Sequence, residues 1–443
     1  MSNTKNININ TVIDRSNVSS YQKIIFILLF VIATVDGFDV SLIAYIGPSI
    51  MQEWSITAAK LSYVFGASLL GLMLGSMILG PLADRIGSKK VLIIAMLVFS
   101  FGTLLSANAQ GITLLTALRF ITGLGLGGTM PICIALSTEY APIKRRMIIA
   151  TLSWSGFTAG ITLGGLVASY IVPLYGWRFL LIIGGILPLA LLPFIILLLP
   201  ESLQFMLRNK SYHQKLQSVL NRIMHHQLTI DSLTLNSNNP TTTNPLHTLF
   251  SAVNRRMTLL LWVAFFTSLY AFYLLTYWIP ILLSQDFDTR YINLIASMLP
   301  LGGTIGAITF ALLIDRYKSS FLILSIAYFS AAIAMFAVEY MIHNLVSLFS
   351  FVFFIGFTIA GAQNGLNLVA ATIYPQHSKA TGIAWAMASG RLGSLIGSII
   401  GAWLIAYSNS LEGFFHHLAI ITLMTSIAIL GLFWRERRHN RST

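Results

Sequence analysis

The stretch Ile24–Ile46, IIFILLFVIATVDGFDVSLIAYI, runs for 23 residues without a lysine or arginine, and its only charges are Asp36 and Asp39. An α-helix rises 1.5 Å per residue, so about 20 apolar residues cross the ~30 Å hydrocarbon core of a bilayer. A charge near the middle of such a helix costs about 2.5–3.5 kcal/mol even on lenient insertion scales. The stretch therefore reads as a membrane crossing whose two carboxylates need a reason to be there.

The rest of the chain repeats the first half of that reading. Of 443 residues, 56% are hydrophobic and only 9% charged, against about 25% charged in soluble domains. Too little polar surface remains for two or three soluble domains. Apolar runs predict twelve spans, at 24–46, 59–82, 90–108, 112–140, 147–171, 178–199, 257–283, 291–314, 320–340, 344–373, 380–407 and 413–434. The expected fold is an all-α membrane protein of twelve helices in two pseudo-symmetric six-helix bundles, with both termini cytoplasmic. The expected divisions are a disordered tail over 1–22, a first bundle over 23–199, a cytoplasmic loop over 200–256, a second bundle over 257–434 and a tail over 435–443.

A net charge of +13 raises nucleic acid as a partner. The placement of the charges answers it. With the first span running outward, 22 of the 27 Lys and Arg residues fall on the cytoplasmic side, and Lys60, Arg178 and Arg290 fall outside. That is the positive-inside bias of a membrane protein, and no nucleic-acid partner is expected. In the 200–256 loop, Leu216, Val219, Leu220 and Ile223 have helical i, i+3, i+4, i+7 spacing. They predict an amphipathic helix lying on the membrane surface or against the bundles. Thr234–Pro245 reads as a flexible polar linker. Cys133 has no cysteine to pair with, and His225–His226 and His416–His417 lack metal-ligand company, so no metal is expected.

An internal repeat divides the spans six and six. GPLADRIGSKK (Gly80–Lys90) after the second span recurs as ALLIDRYKSS (Ala311–Ser320) after the eighth. LSTEYAPIKRR (Leu136–Arg146) is echoed by AATIYPQHSKA (Ala370–Ala380). Repeated halves around a central site are an arrangement used by transporters.

The candidate chemistry follows from what is charged within the spans. Asp36 and Asp39, at i and i+3, share one helix face. Arg119, in RFITGLGLGG (Arg119–Gly128), and Asp39 each lie about seven residues, or roughly 10 Å, from the outer end of their spans. An Arg119–Asp39 pair is therefore feasible, with Asp36 one turn deeper. These three are the expected proton-coupling groups, the alternative being a purely structural pair. Arg391 sits mid-span in SGRLGSLIG, near Gln363, Asn364 and Asn367 of GAQNGLN, and the last six spans offer it no acid at that depth. A carboxylate cargo would supply one; otherwise Arg391 bonds carbonyls or the amides. Tyr270, Tyr273, Trp154 and Trp385 are candidates to stack on a ring, though packing is the usual role of any one aromatic. Asp84 with Arg85, Asp315 with Arg316, and Glu139 beside Arg145 are read as a cytoplasmic gate whose charge pairs bias the conformational balance.

GLGLGG inside a span lacks the preceding strand of a nucleotide loop and reads instead, like Gly156, Gly160 and Gly164, and Gly393, Gly397 and Gly401, as a small-residue packing surface. An intramembrane aspartyl protease needs two aspartates facing across a cleft, whereas Asp36 and Asp39 share one helix. A drug exporter, another organic-anion or nicotinate-like carrier, and a non-transporting sensor remain as rivals.

With these residues in place, the chain resembles the major facilitator superfamily throughout its membrane portion, on GPLADRIGSKK and RFITGLGLGG. More narrowly, DGFDV (Asp36–Val40), PES (Pro200–Ser202) and the stretch from GAQNGLN to SGRLGS look like the aromatic acid:proton symporters. The sequence departs from the signatures at Ser88, Ala311, Lys318, His377 and Lys379. The resemblance implies import of a benzoate, hydroxybenzoate, protocatechuate, vanillate or muconate-like acid into bacteria. It also implies residence in the inner membrane, a proton as coupling ion, no other cofactor and no enzymatic activity. It further implies that the two span 1 aspartates are essential, that Arg119 is coupled to them and that the Asp84–Arg85 clamp governs cycling. A monomer is expected.

Overall fold

The computed structural model describes residues 7–8, 18–224, 233–234, 255–317, 319–341, 344–374, 379–408 and 411–442. Among the described residues twelve helices carry the fold: α1 (Ser20–Trp54), α2 (Ala58–Ile86), α3 (Ser88–Ser106), α4 (Ile112–Tyr140), α5 (Arg146–Tyr175), α6 (Trp177–Leu198), α7 (Arg255–Leu283), α8 (Thr289–Tyr317), α9 (Ser320–Phe336), α10 (Leu345–Ile373), α11 (Lys379–Ser408) and α12 (Leu411–Ser442). Eleven of them are long and apolar enough to cross a membrane, and α9 is a shorter apolar helix. Short helices Leu203–Arg208 and His213–Met224 follow α6, and Val338–Met341 follows α9.

Local chemistry sets several helix ends. Ser19 caps α1 in a capping box with Gln22, each side chain bonding the other residue's backbone N–H. Gly87, at φ 106°, is the single residue joining α2 to α3. An L side chain rarely takes that conformation, and a Cβ there would also collide with the carboxylate of Glu201.

The glycine stripes set which helices touch. Gly71 and Gly75 of α2 face Gly123 and Gly127 of α4, and at each the neighbouring helix's main-chain carbonyl stands where a Cβ would be. Gly302 and Gly306 of α8 make the same approach to α10. Gly156 and Gly160 of α5 seat against α1, as Gly393 and Gly397 of α11 seat against α7. Each contact in the first six helices thus recurs six helices later, so the repeat is one of packing as well as of sequence.

The two sets meet through α1 on α7, α2 on α11 and α5 on α8. Tyr277 stacks on Phe65 with ring centroids 4.7 Å apart, Thr304 donates to the Thr158 hydroxyl at 2.7 Å, and Arg290 lies over the Tyr170 ring at 5.0 Å. These contacts run from mid-helix to the end opposite the basic loops.

The helix His213–Met224 buries Leu216, Val219, Leu220 and Ile223, and Arg222 sits over the Tyr21 ring of α1 at 5.6 Å. Of the two placements open to it, it packs against the helices. Two expectations need correction. Ser20, Tyr21 and Gln22, assigned to the tail, belong to α1. Ile7–Asn8 and Leu233–Thr234, in tail and loop, form a two-residue parallel bridge. The rest of the polar linker, His225–His226, Lys318 and His377 lie outside the described residues.

Candidate functional site

Asp36 and Asp39 project from the middle of α1 and are 2% and 0% exposed. Gly37 between them receives the backbone of α5, its Cβ position falling on the Phe157 carbonyl. Asp39 accepts the single proton of the Thr103 hydroxyl of α3, which lies 2.8 and 3.0 Å from its two carboxylate oxygens. Its Oδ1 lies 3.7 Å from Nη1 of Arg119 on α4, itself 1% exposed. That separation is an ion pair without a direct hydrogen bond. Nε and Nη2 of Arg119 and Oδ1 of Asp36 are buried without a hydrogen-bond partner. Asp36 has Asp39 and Arg391 as its charged neighbours, and Tyr273 has both Arg391 and Asp36 near it. Thus an acid of the first half and the arginine of the second share one tyrosine as a neighbour.

On the other side of that seam is a cavity lined by Trp154 of α5, Phe265, Leu269, Phe272 and Tyr273 of α7, Gln363 and Asn367 of α10, and Met387 and Arg391 of α11. Its wall is apolar and aromatic except for one guanidinium, one phenol and two amides, a lining suited to a small organic anion. The free space is about 20 Å³, room for one or two waters, so the side chains must part to admit anything larger.

Five of the eight proposed cargo-contacting residues meet here: Trp154, Tyr273, Gln363, Asn367 and Arg391. Three do not. Tyr270 directs its hydroxyl to Nε2 of His417 on α12 at 2.8 Å; one residue beyond Leu269, it is turned about 100° off the cavity face. Trp385 stacks on Trp262 with centroids 5.7 Å apart and is 45% exposed; two residues before Met387, it projects from the far side of α11. Asn364 buries an unpartnered Nδ2 outside the cavity lining, one position round α10 from Gln363.

The charge pairs expected of the cytoplasmic gate are not made in this conformation. Asp84, Arg85, Arg145, Asp315 and Arg316 are exposed, and among the described residues no ion pair joins them. Arg316 instead sits over the Tyr317 ring at 5.7 Å. The bonds that Glu139 makes run to the helix after α6 and not to the expected arginine. It takes the Ser202 hydroxyl at 2.8 Å and the Leu203 N–H at 3.0 Å, holding the start of the helix that follows α6, where unpaired N–H groups attract a carboxylate.

Sequence reasoning assigned nothing to several residues that build the site. Thr103 is the hydrogen-bond donor to Asp39, and a lone threonine in an apolar span gives no signal. Glu201 accepts from the Lys89 N–H at 2.9 Å, and its carbonyl takes the Tyr140 hydroxyl at 2.7 Å. The PES stretch was its visible mark. Phe265, Leu269, Phe272 and Met387 were indistinguishable from packing.

The Major Facilitator Superfamily model matches residues 29–290 and 261–443. The chain belongs to the Major Facilitator Superfamily. Within it, the chain is 34% identical over 422 residues to the gallate transporter of Pseudomonas putida, covering 95% of this chain and 93% of that one. It is 32% identical over 429 residues to the 4-hydroxybenzoate transporter PcaK of the same species, covering 96% of each. It is 30% identical to the benzoate transport protein of Acinetobacter baylyi, over 97% of this chain and 92% of that one. These place it in the aromatic-acid transporter family, a family of transporters and not of enzymes. The fold is also that of the xylose transporter XylE from E. coli in a partially occluded inward open conformation, with a TM-score of 0.74 and 17% identity over 94% of this chain and 98% of that one.

Proposed function

We propose that this major facilitator protein imports a small aromatic carboxylate together with a proton across the bacterial cytoplasmic membrane. The observation that carries this is a cavity wall with one guanidinium, Arg391, set beside a buried carboxylate, Asp36, that has an unpartnered oxygen. The cargo's carboxylate binds Arg391 and Tyr273, its ring lies among Trp154, Phe265, Phe272 and Met387, and the cavity amides of Gln363 and Asn367 are left for any further polar group it carries. The family's gallate, 4-hydroxybenzoate and benzoate transporters support an acid of that size.

Charge balance supplies the coupling. Asp36 and Asp39 cancel Arg119 and Arg391. A bound carboxylate adds one negative charge to a low-dielectric interior, where an uncompensated charge is costly. One proton, taken by Asp36, cancels it. Loaded with both, the chamber is neutral again and the halves rock about it. Residues 23–199 and 257–434 act as two six-helix bundles, with α9 counted as the ninth of twelve spans, the loop 200–256 and both termini in the cytoplasm, and the monomer as the working unit. The contacts at the end opposite the basic loops then close the outer gate, and the exposed Asp84, Arg85, Arg145, Asp315 and Arg316 belong to a parted cytoplasmic gate that pairs its charges when the cycle turns outward.

The test is uptake of labelled 4-hydroxybenzoate into liposomes holding the purified protein, with the outside acidic. Accumulation above equilibrium is expected, abolished by a protonophore and by Asp39→Asn. Uptake insensitive to both contradicts the proposal. A cationic drug is not expected to stabilise a site built round Arg391.

A further inference from the structure

Behind the cavity wall, three buried side chains from three helices form a chain of hydrogen bonds. Ser268 of α7 donates to Oε1 of Gln363 on α10, and Ser268 in turn meets the Tyr328 hydroxyl of α9 at 2.5 Å. Ser268 and Tyr328 are fully buried, and Gln363 nearly so. A serine hydroxyl has one proton. With that proton given to Gln363, the phenol is the donor in the Ser268–Tyr328 contact, which at 2.5 Å is far shorter than its other option, the Ile359 carbonyl at 3.5 Å. The order is Tyr328 to Ser268 to Gln363.

The consequence lies at the far end. A primary amide can rotate to offer either its oxygen or its nitrogen, and here the oxygen is engaged. Gln363 lines the cavity, and the group it has left to offer is Nε2, with two N–H donors. One helical turn on, Asn367 lines the same cavity and has both a donor and an acceptor. An unsubstituted aromatic acid uses its single polar group on Arg391 and Tyr273. A ring hydroxyl adds an oxygen that accepts from Gln363 Nε2 and a proton that goes to Asn367 Oδ1.

We propose that Tyr328 and Ser268 are positioning residues that hold the Gln363 amide nitrogen toward the cavity, so that the site selects hydroxylated aromatic acids over unsubstituted ones. This rests on the transport function proposed above. A site built to bond a hydroxyl discriminates strongly against the analogue lacking it, because its buried polar groups are then left unpaired.

The experiment measures initial uptake rates of 4-hydroxybenzoate and of benzoate by the full chain in liposomes. Wild type is expected to favour 4-hydroxybenzoate by about tenfold in KM. Gln363→Leu removes the preference by raising the KM for 4-hydroxybenzoate. Tyr328→Phe and Ser268→Ala lower it about threefold, with kcat and the benzoate KM held within about twofold, while Ser268→Thr, which keeps the hydroxyl, retains the wild-type ratio. A wild type without preference overturns the inference. So does a parallel shift in both acids, which would make Gln363 a carboxylate ligand, or a fall in kcat alone, which would make the relay structural. If wild type takes up neither acid, the transport reading fails as well, and the two failures are told apart by wild-type benzoate uptake.

Discussion

In the first six helices the polar groups close on one another, whereas in α7–α12 they are turned onto a cavity. Asp39 has Thr103 and Arg119 within its own half. Arg391, Gln363, Asn367 and Tyr273 line open space. The halves share a packing scheme, glycine stripe for glycine stripe, so the difference is one of side chains laid on a repeated frame. On the proposed function it separates the ion chemistry from the recognition of cargo, and the two adjoin where Asp36 and Arg391 both neighbour Tyr273.

That contrast can be broken most severely at Arg391. Arg391→Ala removes the cavity's guanidinium and leaves the Asp39–Arg119 pair intact. The acid's affinity is expected to fall about 100-fold, from the roughly 3 kcal/mol lost when one partner of a buried charge pair is truncated, and binding calorimetry on folded protein reads it. Arg391→Lys restores little, since a point charge does not replace a bidentate fork.

A milder break lies in the closed half. Glu139→Ala strips the acceptor from Ser202 and Leu203 and is expected to lower stability by about 1–2 kcal/mol, measured by denaturant unfolding, with KM unchanged. The smallest effects sharpen the boundary of the cavity. Tyr270→Phe and Trp385→Phe, both off the lining, should leave KM within about twofold, because surface or unrelated packing changes are usually worth under half a kcal/mol. A larger change in either variant would move the recognition site round α7 or α11.

The frame was legible in the sequence because apolar run length and glycine spacing are properties of the chain itself. Ile24–Ile46 announced α1, and Gly156–Gly160 and Gly393–Gly397 marked the faces that approach α1 and α7. Depth was legible too: counting residues from the span ends put Asp39 and Arg119 level, and they lie 3.7 Å apart. Facing was not. In a helix apolar all round, periodicity gives no direction, so Tyr270 and Tyr273 read alike although one turns to His417 and the other to Arg391. The partners of Glu139 were hidden for a different reason. An acid beside a basic loop suggests an arginine, but the start of a short helix competes with unpaired N–H groups that no sequence pattern spells out. Thr103, one of many hydroxyls in apolar spans that bond their own helix, gave no sign that it would bond Asp39.

In the proposed cycle the cargo's carboxylate and a proton on Asp36 cancel each other's charge in one chamber. Asp36→Asn, assayed in liposomes for both exchange and gradient-driven accumulation, tests it directly. Labelled acid is expected still to bind and to exchange with unlabelled acid across the membrane, while an imposed proton gradient no longer drives accumulation. Accumulation at the wild-type level under that gradient would contradict it.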